Sequence, residues 1–237
     1  MTDYQRYAVY YAPHPQSDLG RFGNAWLGRD PLANTELTRP ALAGLKADDV
    51  IAATTSPTRY GFHGTLKPPF TLKQGQSRSG LEAALEKLCA DITPVTCGPL
   101  TLKSISGFLA LIPTDPVAPL EHLAARMVRD LDDFRQPEDA TAMNKRRAAG
   151  LSERQENYLV TWGYPYVMED FRFHLTLSNK LDPKQLERFE ASLASTAAPL
   201  CQTAFIIDDI CLFGDPGDGK PFHLLRRFAL NRSKMRQ

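Results

Sequence analysis

The sequence predicts an α+β protein built as two pseudo-symmetric lobes, each an antiparallel sheet covered by helices, with a cleft between the two sheets. Two observations carry this expectation. One order of elements (helix, strand, helix, two strands) runs twice along the 237 residues. The strand in each run is marked by one short pattern, FHGTL at 62–66 and FHLTL at 173–177. Their histidines, His63 and His174, stand 111 residues apart, nearly half the chain. This spacing reads as an internal duplication within a single bilobal domain over 1–237, with lobe-forming halves of roughly 1–115 and 116–237.

The elements follow in order. RYAVYYAP (6–13), rich in Tyr and Val and closed by Pro13, predicts a strand. Leu19, Phe22, Trp26 and Leu27 recur near the 3.6-residue period and predict a helix, which Gly20, Gly23 and Gly28 weaken. Residues 30–58 read as loop with a short helix or two. YGFHGTLKPPFTL (60–72) alternates as a strand until Pro68 and Pro69, which lack ladder donors, end it. After the turn-rich KQGQSRSG, Leu81, Leu85, Leu88 and Ile92 stripe one face of a helix, and strands near 99–105 and 107–112 close the first half. In the second half, Leu120, Leu123, Met127 and Leu131 predict a helix over 119–134. The strand at 171–177 and a helix over 183–195 with Pro183 in its first turn come next. Strands near 203–213 and 221–230 then flank GDPGDGK, whose glycines suit a hairpin.

Composition bounds the function. With 43% hydrophobic and 23% charged residues the chain can bury a core. Its net charge of +1 supplies no global field toward nucleic acid or an anionic membrane, so an anionic ligand must be held by local groups. Cys89, Cys97, Cys201 and Cys211 form no CxxC pair, and MTDYQRYAVYYAP lacks the charged and apolar regions of a signal peptide. Reduced thiols in the cytoplasm are therefore expected, with no structural zinc. No apolar run approaches the roughly 18 residues of a membrane span, so no membrane partner is expected.

The two His-x-Thr triplets carry the chemistry. With five histidines and 17 threonines, chance supplies about 0.4 such triplets, so one alone is weak and two in matching apolar frames are not. Residues i and i+2 of a strand share a face, which places His63 with Thr65 and sets Phe62 and Leu66 opposite. In the second strand Phe171, Phe173, Leu175 and Leu177 point one way, and Arg172, His174, Thr176 and Ser178 the other. Lys67 extends the first polar row, as does Arg59 if the strand begins that early. Tyr60 alternates to the core, but at the start of the strand it is a candidate to reach a substrate. An imidazole titrates near 6.5, so of two facing a small gap one can act as base and the other, kept protonated by a phosphate, as acid. That pairing suits phosphodiester cleavage. One histidine activates water or a substrate hydroxyl and the other protonates the departing oxygen. Thr65 and Thr176 bond the non-bridging oxygens, while Arg172 and Lys67 balance the charge. No cofactor is required, and no third ligand stands at metal spacing near His63 and His174.

These motifs resemble those of the two-histidine (2H) phosphoesterase superfamily, named for two H-x-[ST] motifs on the central strands of two pseudo-symmetric lobes. The resemblance implies that His63 and His174 are the acid/base pair and Thr65 and Thr176 the phosphate-binding hydroxyls. The longer strings RYGFHGTLKPPF and YPYVMEDFRFHLTL are similar to one bacterial branch, described as phosphonate-metabolism proteins and encoded near carbon–phosphorus lyase genes. That similarity implies a small ribose cyclic phosphate as substrate, such as 5-phosphoribosyl 1,2-cyclic phosphate. The alternatives are a 2′,3′-cyclic phosphodiesterase or ligase acting on RNA ends, and a non-catalytic nucleotide or sugar-phosphate sensor. An RNA enzyme calls for an extended basic, aromatic-lined groove, which the near-neutral charge disfavours. Gly64 departs from the apolar residue or Ala of many relatives, with little consequence for chemistry expected.

Other residues are weighed more plainly. Lys145, Arg146, Arg147 and Arg154 concentrate in 144–158, which reads either as a solvated segment or as a lid bringing charge to a second phosphate. Tyr7, Tyr10 and Tyr11 read as packing residues, one of which can line the cleft. His14, His122 and His223 read as surface or core filling. The two motifs being alike, the pattern assigns neither histidine to the acid, and it carries no signal of oligomeric state.

Overall fold

The computed structural model describes residues 4–233. Strand β1 spans Arg6–Tyr11, and the Ser17 hydroxyl, accepting the Gly20 N–H, caps helix α1 (Asp18–Leu27). The glycines of α1 have uses. A Cβ on Gly23 would lie 1.9 Å from the Phe62 ring, so the missing side chain lets the helix press on Phe62, and Gly28 ends the helix at φ 71°. Beyond it a ladder of β2 (Arg29–Asp30) and β3 (Thr35–Glu36) precedes helices α2 (Ala47–Ala53) and α3 (Thr55–Tyr60). Strand β4 (Gly64–Phe70) starts at the residue after His63, includes Thr65, and runs through both prolines instead of ending at them. Helix α4 (Arg78–Ala90), strands β5 (Val95–Thr96), β6 (Leu100–Ile105) and β7 (Phe108–Pro113), and helix α5 (Ala118–Asp130) follow. The 144–158 region forms α6 (Ala140–Arg147) and α7 (Glu153–Trp162). The strand expected over 171–177 pairs only as β8 (Leu175–Thr176). Helix α8 (Pro183–Ala197) is capped by Asp182, which accepts from the Lys184 and Gln185 N–H groups, and β9 (Ile206–Ile207), β10 (Asp209–Asp215) and β11 (His223–Ala229) complete the chain.

Seven strands form one sheet in the order β11-β10-β1-β4-β8-β7-β6, with every neighbouring pair antiparallel. The expected two sheets are thus joined edge to edge, through Gly64 opposite Leu175. Trp26, Leu85, Met127 and Phe189 from the helices share one core with Val9, Leu66 and Leu175 from the strands and with Phe62 just before β4. The predicted apolar row of Phe171, Phe173, Leu175 and Leu177 is buried there. Trp26 fastens α1 to the second motif by donating from Nε1 to the Leu177 carbonyl at 2.7 Å. The other sheet face carries a small cluster of Ala8, Tyr10, Phe213, Phe222 and Leu224.

The two motifs share one pairing pattern. Tyr10 and Tyr11 of β1 face Thr65 and Gly64, and Ala110 and Leu111 of β7 face Thr176 and Leu175. Strand β7 therefore stands to β8 as β1 stands to β4. A tight turn at Ser106 (φ 48°) and Gly107 (φ 92°) joins it to β6, which is why the sequence pattern groups both strands with the first half. Early and late strands also interlock, since β10 lies beside β1, and β7, flanked by β6, lies beside β8.

Gly64 matters to packing. A Cβ there would stand 2.3 Å from the ring of Phe173, which is buried against Tyr11 and Phe205. Gly64→Ala is expected to destabilise the protein by about 1–3 kcal/mol, the scale of overpacking, read as a lower urea midpoint. An unchanged midpoint would contradict this close approach.

Candidate active site

Register builds the site. With Gly64 opposite Leu175 in an antiparallel pair, His63 stands across from Thr176 and Thr65 across from His174. Adjacent pairs of this kind hold their Cβ atoms roughly 5 Å apart, and the two histidines occupy the diagonal. Gly64 and Leu175 point to the core, so the four polar side chains project from the opposite face. His63, Thr65 and Thr176 line a cavity of about 610 Å³ there, and the His174 ring lies 5.6 Å from Phe108, which lines it too.

Both imidazoles are oriented by the same device. His63 Nδ1 lies 2.9 Å from the Gly61 carbonyl oxygen and His174 Nδ1 lies 2.7 Å from that of Arg172, each two residues earlier in the chain. A carbonyl only accepts, so each Nδ1 carries the hydrogen and each neutral ring keeps Nε2 bare. The Thr65 hydroxyl, 3.2 Å from His63 Nε2, donates to it.

The two rings have different surroundings. Tyr10 stacks on His63 with ring centroids 3.9 Å apart, whereas the corresponding position beside His174 is Ala110. Burial pushes His63 down to about 4, partly countered by the bond to Gly61 and helped by His174 nearby. Burial also lowers His174, against the bond to Arg172. Neither ring is held as a cation in the free protein at neutral pH.

Three of the four additional candidates do not reach the cavity. Lys67 is buried, with Nζ donating to the Val128 carbonyl at 2.9 Å and lying 3.5 Å from Asp132. Burial, only partly offset by Asp132, lowers its ammonium to about 8. The cause is a register shift in the β1–β4 ladder. Tyr10 faces Thr65 but Val9 faces Lys67, so Leu66 is the extra residue of a bulge, which turns Lys67 to the core face. Arg59 lies in α3 and binds the buried Asp215 at 3.2 Å. Arg172 precedes the paired strand, and its Nη1 donates to the carbonyls of Glu169 and Phe171; its contribution to the site is the carbonyl that orients His174. Tyr60 does line the cavity, from the end of α3 and not from a core-facing strand position.

Among the described residues, the cations that line the cavity are Arg6, Arg146 and Lys180, and no carboxylate lines it. Lys180 shares the sequence parity of His174, Thr176 and Ser178, and Arg6 shares that of Tyr10, so alternation carried further along each strand would have found both. Tyr10, Pro68, Pro69 and Tyr164 line the cavity as well. Within 144–158, Arg147 is paired with Glu156 and Arg154 with Asp170. Among the described residues, no group of three or more His, Cys, Asp or Glu side chains stands together to hold a metal ion, and no helix is long and apolar enough to cross a membrane.

Comparison with known proteins places the chain. The family described as "Protein of unknown function (DUF1045)" matches residues 65–223. The chain belongs to the DUF1045 family. This DUF1045 chain is 32% identical over 221 residues to a protein of Janthinobacterium sp. (strain Marseille) named ribose 1,5-bisphosphate phosphokinase PhnN. It is 35% identical over 225 residues to a protein of the same name from Laribacter hongkongensis (strain HLHK9). The matches cover 92% and 93% of this chain but 49% and 51% of those proteins, so it spans about half the length of the curated relatives it matches. Similar solved structures include a phosphoesterase (14% identity, TM-score 0.47, covering 96% of this chain and 99% of that one) and E. coli LigT complexed with 3′-AMP (13% identity, TM-score 0.47, 96% and 99%).

The depressed imidazoles make stability depend on pH. Between about pH 6.5 and 4 the unfolded chain binds protons that folded His63 does not, so stability present above this window is lost as pH falls through it. His63→Asn is expected to narrow the difference in denaturant midpoint between pH 7 and pH 5. An unchanged difference would contradict the burial of a neutral ring.

Proposed function

We propose that this protein is a metal-independent cyclic phosphodiesterase of the 2H type that opens a small ribose cyclic phosphate, 5-phosphoribosyl 1,2-cyclic phosphate fitting best. The observation that carries this reading is the pair of His-x-Thr triplets facing across one strand pair, both rings fixed with Nε2 bare. A hydroxyl beside each histidine and a cavity of about 610 Å³ suit a compact phosphorylated ligand.

The divergence between the units gives the histidines their roles. His63, under Tyr10 and pushed down to about 4, resists the cationic form more strongly and is the base. His174 takes up a proton when the substrate phosphate arrives, and is the acid. His63 Nε2 removes a proton from water as its oxygen bonds to phosphorus. The bond from phosphorus to the leaving ring oxygen breaks, and His174 Nε2–H protonates that oxygen. Exchange with solvent then restores both rings. Thr65, released from His63, and Thr176 donate to the non-bridging oxygens, and Lys180 balances charge in place of the expected Lys67 and Arg172. Breakage of the bond to O2 leaves ribose 1,5-bisphosphate, the compound in the name of the twice-longer relatives. A diesterase supplying that bisphosphate would be chemically coherent with such a kinase.

His63→Ala and His174→Ala are each expected to lower turnover by about 10²–10⁴-fold while thermal unfolding stays cooperative; near-native activity in either would sink the mechanism. The direct test is phosphorus NMR of the EDTA-treated protein with 5-phosphoribosyl 1,2-cyclic phosphate and, separately, with a 2′,3′-cyclic nucleotide. Opening of the sugar ester is expected. Opening of the nucleotide alone would move the substrate to RNA ends, and opening of neither would refute the reading.

A further inference from the structure

On the phosphodiesterase reading the reacting phosphate sits beside His63, Thr65 and Thr176 in the cavity wall. Two of the three lining cations gather at one end. Arg6 begins β1, which runs antiparallel to β4 with Tyr7 opposite Phe70, so Arg6 lies at the Phe70 end, where Pro68 and Pro69 line the wall. Arg146 reaches the same end from the last turn of α6, its guanidinium 4.9 Å from the centre of the Tyr164 ring. Tyr164 follows Gly163, which touches Arg135, and Arg135 bridges to Leu72 just beyond β4. Lys180 belongs to the opposite end, next to Asn179, whose side chain is hydrogen-bonded to Thr55 and to the Ser56 N–H.

The charge at the Phe70 end is incompletely neutralised. Arg6 binds Asp215 at 2.6 Å, but that carboxylate, 1% exposed, is shared with Arg59, leaving one net positive charge in the cluster. Among the described residues, the carboxylate paired with Arg146 is that of Glu138, at 3.7 Å, and the buried Arg146 Nε has no hydrogen-bond partner. Of the basic residues in 144–158 it is the one that lines the cavity, since Arg147 and Arg154 are committed to Glu156 and Asp170. Guanidinium groups left with free donors in a wall without carboxylates match a phosphate monoester. Along β4, a rise of roughly 3.3 Å per residue sets Pro68 about 10 Å from Thr65, a span that a ribose ring, its C5 carbon and a flexible arginine cover together.

We infer that Arg146 and Arg6 form a second phosphate subsite, which holds a terminal phosphate monoester of the substrate while the His-x-Thr centre holds the cyclic ester. The inference rests on the phosphodiesterase reading for the identity of the reacting group, but the subsite binds whether or not the chain turns the ester over. The enzyme therefore selects sugar cyclic phosphates bearing a second phosphate over those without one.

Two measurements separate the claims. The first is calorimetric binding of ribose 1,5-bisphosphate to the whole chain as wild type, Arg146→Gln and Arg146→Lys, each checked for an unchanged unfolding midpoint. Arg146→Gln is expected to weaken binding by about tenfold or more, the scale of a hydrogen bond to a charged group, and Arg146→Lys by less. The second is the ratio of kcat/KM for 5-phosphoribosyl 1,2-cyclic phosphate to that for ribose 1,2-cyclic phosphate, expected to fall at least tenfold in Arg146→Gln. Wild-type binding of the bisphosphate by Arg146→Gln, or an equal preference for the two esters in the wild type, would overturn the subsite. Binding that depends on Arg146, with neither ester opened, would uphold the subsite and refute the esterase instead.

Discussion

The site depends on one cross-strand pairing, Gly64 opposite Leu175. Because side chains alternate along a strand, that pair directs its own residues into the core and both His-Thr pairs to the other face. A slip of one residue would send the histidines inward and the leucines outward. Several packing features converge on this register. Gly64 leaves room for the Phe173 ring, Trp26 ties α1 to the Leu177 carbonyl, and Phe62 lies against Gly23 of the same helix. The core is thus arranged to hold two short ladders in one relation, with β8 contributing only Leu175 and Thr176.

Electrostatics follows from that placement. Two imidazoles on one face of a strand pair, both largely withdrawn from water, are poor cations, and each has its Nδ1–H spent on a backbone carbonyl, so both keep Nε2 as an acceptor. On the proposed mechanism the acid is made by the ligand, whose negative charge favours protonation of the less confined ring. What distinguishes the surroundings of the two rings is Tyr10 in one pairing and Ala110 at the matching place in the other.

The sequence was most informative where periodicity is strict. The apolar row from Phe171 to Leu177 and the two His-x-Thr triplets stand on the faces that alternation assigns them. It misled where alternation is interrupted. The bulge at Leu66 sends Lys67 into the core, α3 removes Arg59 from the strand, and Arg172 precedes the pairing. Bulges are set by the neighbouring strand and so leave little local signature. The joining of two sheets into one was similarly hidden, because which strand edges meet is a tertiary choice. Arg146 was legible only as one charge in a basic run, its selection from that run resting on ion pairs made by its neighbours.

Nitrogen-15 NMR of histidine-labelled protein near pH 7 tests the central claim most directly, with His63 and His174 assigned by substitution and spectra taken free and with ribose 1,5-bisphosphate. The expected free spectrum shows both rings neutral, protonated at Nδ1 and bare at Nε2, and on ligand binding His174 alone becomes an imidazolium. An Nε2-protonated tautomer at either ring, or two rings that ignore the ligand, would contradict an acid and base pair built across Gly64 and Leu175.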